Sequence, residues 1–327
     1  MGRSLTQVDL KTPGRTPGSP KRGKQYRAGR RFGGPALFFC LVGRAVGIRR
    51  RGILGGMPYA VARDGARIYY KVTGPARGEP LVLIMGLGWD MSGWKLLMPY
   101  LTGFRVLLID NRGTGRSDKP DAPYSIKQMA GDAVRAMNAA GMDSAHVYGA
   151  SLGSMIAQEL TLTYPARVRS LILGCPSPGI IALPASPRWV RLLLGRQKQT
   201  PEQAFMRAAR LLYGVSLKER PEAIEEVMQR RLKVRLSPVG VRRQFEAVLK
   251  WSSLRRLRRI RVPTLVIHGD HDRLIPVGNG RIIARLIPGA RLHIFKGAGH
   301  VYGTDHPEEH LQVITAFWRD HRAPKDG

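Results

Sequence analysis

Near the middle of the chain, His146-Val147-Tyr148-Gly149-Ala150-Ser151-Leu152-Gly153 sets a serine between two glycines, directly after a short β-branched and aromatic run and directly before an apolar stretch. A strand that turns at once into a helix forces the residue between them into a strained backbone conformation. It also tolerates no Cβ on either flank, because the neighbouring strand and helix come too close. The hydroxyl is then held out over the sheet. Composition alone yields about 0.2 chance matches to G-x-S-x-G in a chain of this length, so the context carries the argument. Downstream, Ser154-Met155-Ile156-Ala157-Gln158-Glu159-Leu160 places apolar residues at helical spacing. The serine therefore sits at a helix N-terminus, where free amides favour developing negative charge.

A serine is inert until a base takes its proton, which calls for a histidine and a carboxylate that orients it. Thr264-Leu265-Val266-Ile267-His268-Gly269-Asp270-His271-Asp272 reads as a buried parallel strand running into a loop, with Pro263 at its start and Pro276 closing the loop. Functional side chains sit just past strand ends. Asp272, further into the loop, is the candidate acid, and Asp270, beside Gly269, is its competitor. After the last strand, Leu292-His293-Ile294-Phe295, the loop Gly297-Ala298-Gly299-His300 supplies the candidate base, His300. The other seven histidines lie in strands, in the acid loop, near the C-terminal helix or in the tail, and read as structural. A tetrahedral oxyanion needs two donors. The Leu152 N–H is one, and the Leu87 N–H is the other, in the loop Gly86-Leu87-Gly88 that follows the apolar run Leu81-Val82-Leu83-Ile84-Met85.

Together these motifs resemble the α/β-hydrolase superfamily, in the branch that includes soluble esterases, C–C bond hydrolases and non-haem haloperoxidases. The resemblance spans about residues 58–322. It extends to Asp110-Asn111-Arg112-Gly113-Thr114-Gly115-Arg116-Ser117-Asp118, which is similar to the family's D-x-R-G-x-G-x-S turn and implies a structural role for Asp110 and Arg112. Ser151, Asp272 and His300 follow the family's chain order. Some relatives carry the acid one strand earlier, but there this chain reads Gly174-Cys175-Pro176-Ser177, with no carboxylate. Met85-Gly86 stands where most relatives have His-Gly, as in a subset of esterase-like members. A serine at the elbow speaks against haloalkane dehalogenases and epoxide hydrolases, which carry aspartate there. The implied fold is α/β, a mostly parallel central sheet flanked by helices with a helical cap insertion.

With 327 residues and 43% hydrophobic content, the chain can bury a full core in one catalytic domain, expected over residues 57–322. Cys40 and Cys175 show no C-x-x-C spacing, so neither a disulfide framework nor a metal site follows, and a reducing, cytoplasmic setting is expected. No cofactor is expected. No apolar stretch reaches the ~18 residues of a membrane span.

The net charge of +31 is uneven. Residues 1–56 hold 13 Lys or Arg against one Asp, residues 188–261 hold 20 against six acids, and the remainder is nearly balanced. Arginine outnumbers lysine 41 to 13 without aromatic interleaving or a nucleic-acid motif, so no nucleic-acid partner is expected, only a small-molecule substrate. Residues 1–56 lack periodicity, and their apolar octet at 35–42 has no convincing cleavage site for a signal peptide. Met57 directly precedes a hairpin, residues 59–63 and 66–72 joined at Asp64-Gly65. The upstream segment reads as a disordered basic extension or an over-extended start of translation, and residues 323–327 as a tail.

The cap is expected over about residues 177–261, with helical patterns at 189–194, 201–213, 221–236 and 238–251. Its apolar stripes ordinarily pack on the body. Trp89, Phe205, Met206, Leu212 and Trp251 are candidate lining for a pocket over Ser151 that shuts a small or medium apolar ester away from water. The chain thus reads as a serine hydrolase of carboxylic esters. A C–C bond hydrolase or lactonase would use the same triad, and a ligand-binding receptor that retains the triad is the alternative from another class.

Overall fold

The structure is a computed structural model that describes residues 58–179, 200–234 and 236–321. The extension over 1–56, the helix at 189–194 and the tail at 323–327 lie outside the described residues. Eight strands form one sheet: β1 Tyr59–Val61, β2 Arg67–Thr73, β3 Glu79–Ile84, β4 Phe104–Ile109, β5 Ala145–Ala150, β6 Val168–Gly174, β7 Thr264–Gly269 and β8 Arg291–Phe295. Their order is β1-β2-β4-β3-β5-β6-β7-β8, with the β1–β2 and β2–β4 pairs antiparallel and the other pairs parallel. The chain leaves β3 toward β4 on one side and returns past it to β5 on the other. Ligands of open α/β sheets bind at such a reversal, beyond the carboxyl ends of the strands.

Parallel strands covered on both faces read as unbroken apolar runs, and the period of two divides them between faces. Val82, Ile84, Leu107 and Val147 join one core cluster, while Leu81, Leu83, Leu108 and Tyr148 join the other. The first is covered by α1 Ile126–Ala139, capped by the Ser125 side chain, by α2 Leu152–Thr163, and by Ile283 in the helix that follows β7. On the opposite face lie Phe317 and Trp318 of the C-terminal helix Pro307–Asp320.

Between β6 and β7 the described part of the insertion holds α3 Pro201–Leu212, α4 Pro221–Lys233 and α5 Pro238–Leu249. Each begins at a proline, whose missing N–H costs nothing in a first turn. Thr200 and Gln203 add a capping box to α3. The expected ends at 213, 236 and 251 fall one to three residues late; Val234, for example, leaves helical geometry at ψ 114. Among the described residues no helix is long and apolar enough to cross a membrane.

The turn after β4 is built around Arg112, 1% exposed, whose guanidinium donates to both oxygens of Asp132 at 2.6 and 2.9 Å and to Asp64 at 2.9 and 3.3 Å. Asp110 accepts from the Met91 and Arg116 N–H groups, both at 2.8 Å. This is a structural lattice that fixes β1, α1 and the start of the loop after β3. Removing one partner of a buried pair leaves an uncompensated charge, so Arg112→Leu should lower the unfolding free energy by about 3–5 kcal/mol. The urea midpoint, read at unchanged m-value, checks this.

Candidate active site

One residue separates β5 from α2. Ser151 therefore takes φ 55 and ψ −120, a conformation that side chains avoid and that raises its own side chain off the sheet. Flanking glycines permit it: a Cβ on Gly149 would overlap the Gly153 carbonyl oxygen, and one on Gly153 the Ile84 carbonyl oxygen. Hydrogen bonds from Ser151 N–H to the Gly174 carbonyl, at 2.9 Å, and from the Ser154 hydroxyl to the Ser151 carbonyl, at 2.6 Å, pin the turn.

The loops after β7 and β8 bring their candidates to this point. His300 Nε2 lies 3.0 Å from Ser151 Oγ, and His300 Nδ1 lies 2.7 Å from Asp272 Oδ2. The carboxylate faces Nδ1, so that nitrogen carries the proton and Nε2 is left to accept from the hydroxyl. The other oxygen of Asp272 accepts the Leu274 and Ile275 N–H groups at 2.9 and 2.8 Å. Asp270 instead pairs at the surface with His271 and accepts the Gly297 N–H, both at 2.7 Å. His268, read from sequence as an ordinary strand residue, places Nε2 3.2 Å from Asp272 Oδ2. Burial pushes the Asp272 carboxyl up, but the His300 charge and the hydrogen bonds of His268 and His300 outweigh it and hold the group well below the usual carboxylate range. Burial likewise pushes His300 down, and the facing Asp272, with a further contribution from Cys175, overcomes it, leaving the imidazole well above the ordinary histidine value.

The loop after β3 passes so close that a Cβ on Gly86 would sit 3.2 Å from Ser151 Cβ. Leu87 follows in this loop, and Leu152 is the first residue of α2, where a helix leaves its amides unused. Gly88 is held from the insertion on both sides: its N–H donates to Gln244 Oε1 of α5 at 2.9 Å, and its carbonyl accepts from Arg231 of α4 at 2.8 Å. Gln244, fully buried, also donates to the Arg112 carbonyl at 2.8 Å. The Arg231 guanidinium lies 4.6 Å from the Trp89 ring centre, and burial pulls it down to about 10. Neither Gln244 nor Arg231 was singled out from sequence; the signal available was a polar group on the inward stripe of an otherwise apolar helix face.

Among the candidate lining residues, Trp89, Phe205 and Leu212 meet in one apolar cluster with Ala209, Tyr213, Ile224 and Val227. Met206 and Trp251 do not join it. Met206 is 41% exposed, on the outer side of α3. Trp251 packs in the main core and donates its indole N–H to Glu159 of α2 at 2.8 Å. A stripe read from helical spacing does not say which of its members turn outward.

The insertion is tied to the His300 loop through Asp305, whose carboxylate accepts from the N–H groups of Gly299 at 2.7 Å, Gly214 at 2.9 Å and Ser216 at 3.0 Å. There the two backbones meet directly: a Cβ on Gly214 would overlap the Gly297 carbonyl oxygen, and one on Gly299 would press on the Leu212 carbonyl oxygen. The Cys175 thiol, also unremarked as a site residue in the sequence, lies 3.6 Å from His300 Nε2.

Comparison with known proteins agrees with this architecture. Residues 79–307 match the family described as the alpha/beta hydrolase fold. The chain is 30% identical over 248 residues to a poly(3-hydroxyalkanoate) depolymerase of Ectopseudomonas oleovorans, covering 74% of this chain and 85% of that protein. Among solved structures, a hydrolase from Pseudomonas aeruginosa PA01 superposes with a TM-score of 0.71 at 29% identity, over 81% of this chain and 98% of that one. Est816, an N-acyl homoserine lactone degrading enzyme, gives a TM-score of 0.67 at 31% identity, over 80% of this chain and all of that one. The chain belongs to the α/β-hydrolase fold family.

Proposed function

We propose that this hydrolase cleaves small or medium apolar carboxylic esters by acyl transfer to Ser151. The observation that carries the reading is the continuous relay from Asp272 to His300 to Ser151, at 2.7 and 3.0 Å, mounted on a turn that lifts the hydroxyl off the sheet. Ser151 attacks the carbonyl while His300 takes its proton. The ionised Asp272 holds the imidazole tautomer and favours the imidazolium that forms. The Leu87 and Leu152 N–H groups receive the oxyanion, aided by the positive end of α2. His300 then returns the proton to the departing alcohol, and water clears the acyl-enzyme by the reverse path.

Trp89, Phe205 and Leu212 offer the acyl group an apolar surface beside the oxyanion loop. The likeness to a lactone-degrading enzyme at 31% identity favours a second reading, in which the ester is cyclic. Labelling with a serine-directed phosphonate, followed by a panel of linear esters graded by acyl length and a panel of lactones, tests both. Labelling of Ser151 without turnover on either panel would replace the enzyme with a triad-retaining binder.

Triad members act as a unit. Ser151→Ala and His300→Ala should each cost at least about a thousandfold in kcat with the fold intact. Asp272→Asn should cost far more than Asp270→Asn, since only Asp272 touches His300. The reverse ranking at equal folded fraction would identify the wrong carboxylate.

His300 must be neutral to accept a proton, and its pKa is raised, so activity is present above that value and lost as pH falls through it. The acidic limb of kcat/KM should have its midpoint above the ~6.5 of an ordinary histidine. A midpoint at or below it would contradict the strength of the Asp272 contact.

Gln244 holds the Leu87–Gly88 peptide, next to the peptide that carries the Leu87 N–H. Gln244→Leu should lower kcat roughly 10–100-fold, less than full loss of an oxyanion donor, with KM nearly unchanged. Stopped assays at saturating and limiting ester separate the two parameters.

A further inference from the structure

Cys175 takes no part in the proposed reaction, yet its thiol lies 3.6 Å from the nitrogen that serves Ser151. Its position is well fixed. The residue follows β6 with φ 38, its N–H donates to the Ile267 carbonyl of β7 at 2.8 Å, and it is 3% exposed. A zinc ion bound at about 2.3 Å to sulfur and about 2.0 Å to imidazole, at a tetrahedral angle, holds those two atoms about 3.5 Å apart. The thiol and Nε2 already stand at that separation.

Around this pair stand further groups that a cation site uses. A metal-bound histidine almost always donates its second ring N–H to a carboxylate, which fixes the ring and makes it a better ligand. Asp272 occupies that place behind His300 at 2.7 Å. Ser151 Oγ, 3.0 Å from Nε2, offers a third donor atom. Among the described residues, Cys175, Asp272 and His300 form a group whose ligand atoms lie within 4.8 Å of one another. Asp272 and a Cys175 thiolate together balance the charge of a divalent ion.

We propose that Cys175 Sγ and His300 Nε2, with Ser151 Oγ beside them, form an inhibitory site for a thiophilic divalent cation such as zinc. On binding, the thiol gives its proton to solvent, as does Nε2 where His300 is protonated, and Nε2 gives its lone pair to the metal; no electron is transferred. Hydrolysis stops because the base has no lone pair left. Magnesium, which prefers oxygen ligands and sheds water reluctantly, does not compete there. The inhibitory half of the proposal rests on His300 being the base, while the binding half does not.

The test uses the full chain, stripped with a chelator and dialysed. Cobalt(II) should produce a thiolate-to-cobalt charge-transfer band that zinc displaces. The band should survive Cys40→Ser and vanish in Cys175→Ala and Cys175→Ser. Zinc should inhibit ester hydrolysis reversibly, with a chelator restoring the rate and magnesium having no effect. The half-inhibiting zinc concentration, scaled to each variant's own metal-free rate, should rise roughly tenfold or more in both Cys175 variants. Absence of the band in the folded wild-type chain, or equal zinc sensitivity with and without the thiol, would overturn the proposal. A band in a chain that hydrolyses no ester or lactone would leave the cation site standing and remove the proposed function. Hydrolysis without a band would do the opposite.

Discussion

The single residue between β5 and α2 is the constraint on which the site depends. With no loop to spread the change of direction, the backbone at Ser151 is held in a conformation that costs of order 1–3 kcal/mol. Packing on both sides keeps it there: β5 lies between β3 and β6, and α2 is buried along most of its length against the sheet and α1. The same turn sets the N-terminus of α2, with its first amides, directly after the serine. In the proposed reaction, the nucleophile and one of the two oxyanion donors are thus consequences of one piece of backbone geometry.

The electrostatics of the site follow from burial. Asp272 is enclosed, but two imidazoles and two backbone N–H groups surround its carboxylate, so the charge stays. That retained charge lifts His300 against its own desolvation. His268 thereby becomes more than packing, since it shares the carboxylate oxygen that His300 uses and limits where that oxygen can turn. Cys175 approaches His300 from the end of the adjacent strand, where some relatives place their acid, so the imidazole is approached from two strands at once.

Much of this was legible in the sequence because the signals were local. An apolar run with Pro263 before it marked the start of β7, the flanking glycines marked the elbow, and prolines marked the starts of α3, α4 and α5. Asp272 and His300 were read from their positions in loops just past strand ends and from the chain order of the family that the sequence resembles. What escaped was contact between segments distant in sequence. Gln244 and Arg231 reach a peptide some 150 residues away, across a helix face whose outward and inward members sequence periodicity alone did not separate. The same ambiguity placed Met206 and Trp251 with the pocket. Cys175 looked inert because no second cysteine or histidine stands near it in the chain, while His300 reaches it only through the sheet.

The meeting of Gly214 with the Gly297-Ala298-Gly299 segment bears on how the insertion can change over evolution. Helices of a cap are commonly thought of as exchangeable parts set on a constant body. Here the seam between them is main chain against main chain, with Asp305 bonded to both sides. Any replacement that brings a side chain to position 214 would displace the loop that carries His300. New specificities can therefore arise by altering the outer helices, but the stretch from Leu212 to Ser216 has to be inherited with the body, and a chimera spliced through it would lose its histidine geometry before it gained a new pocket.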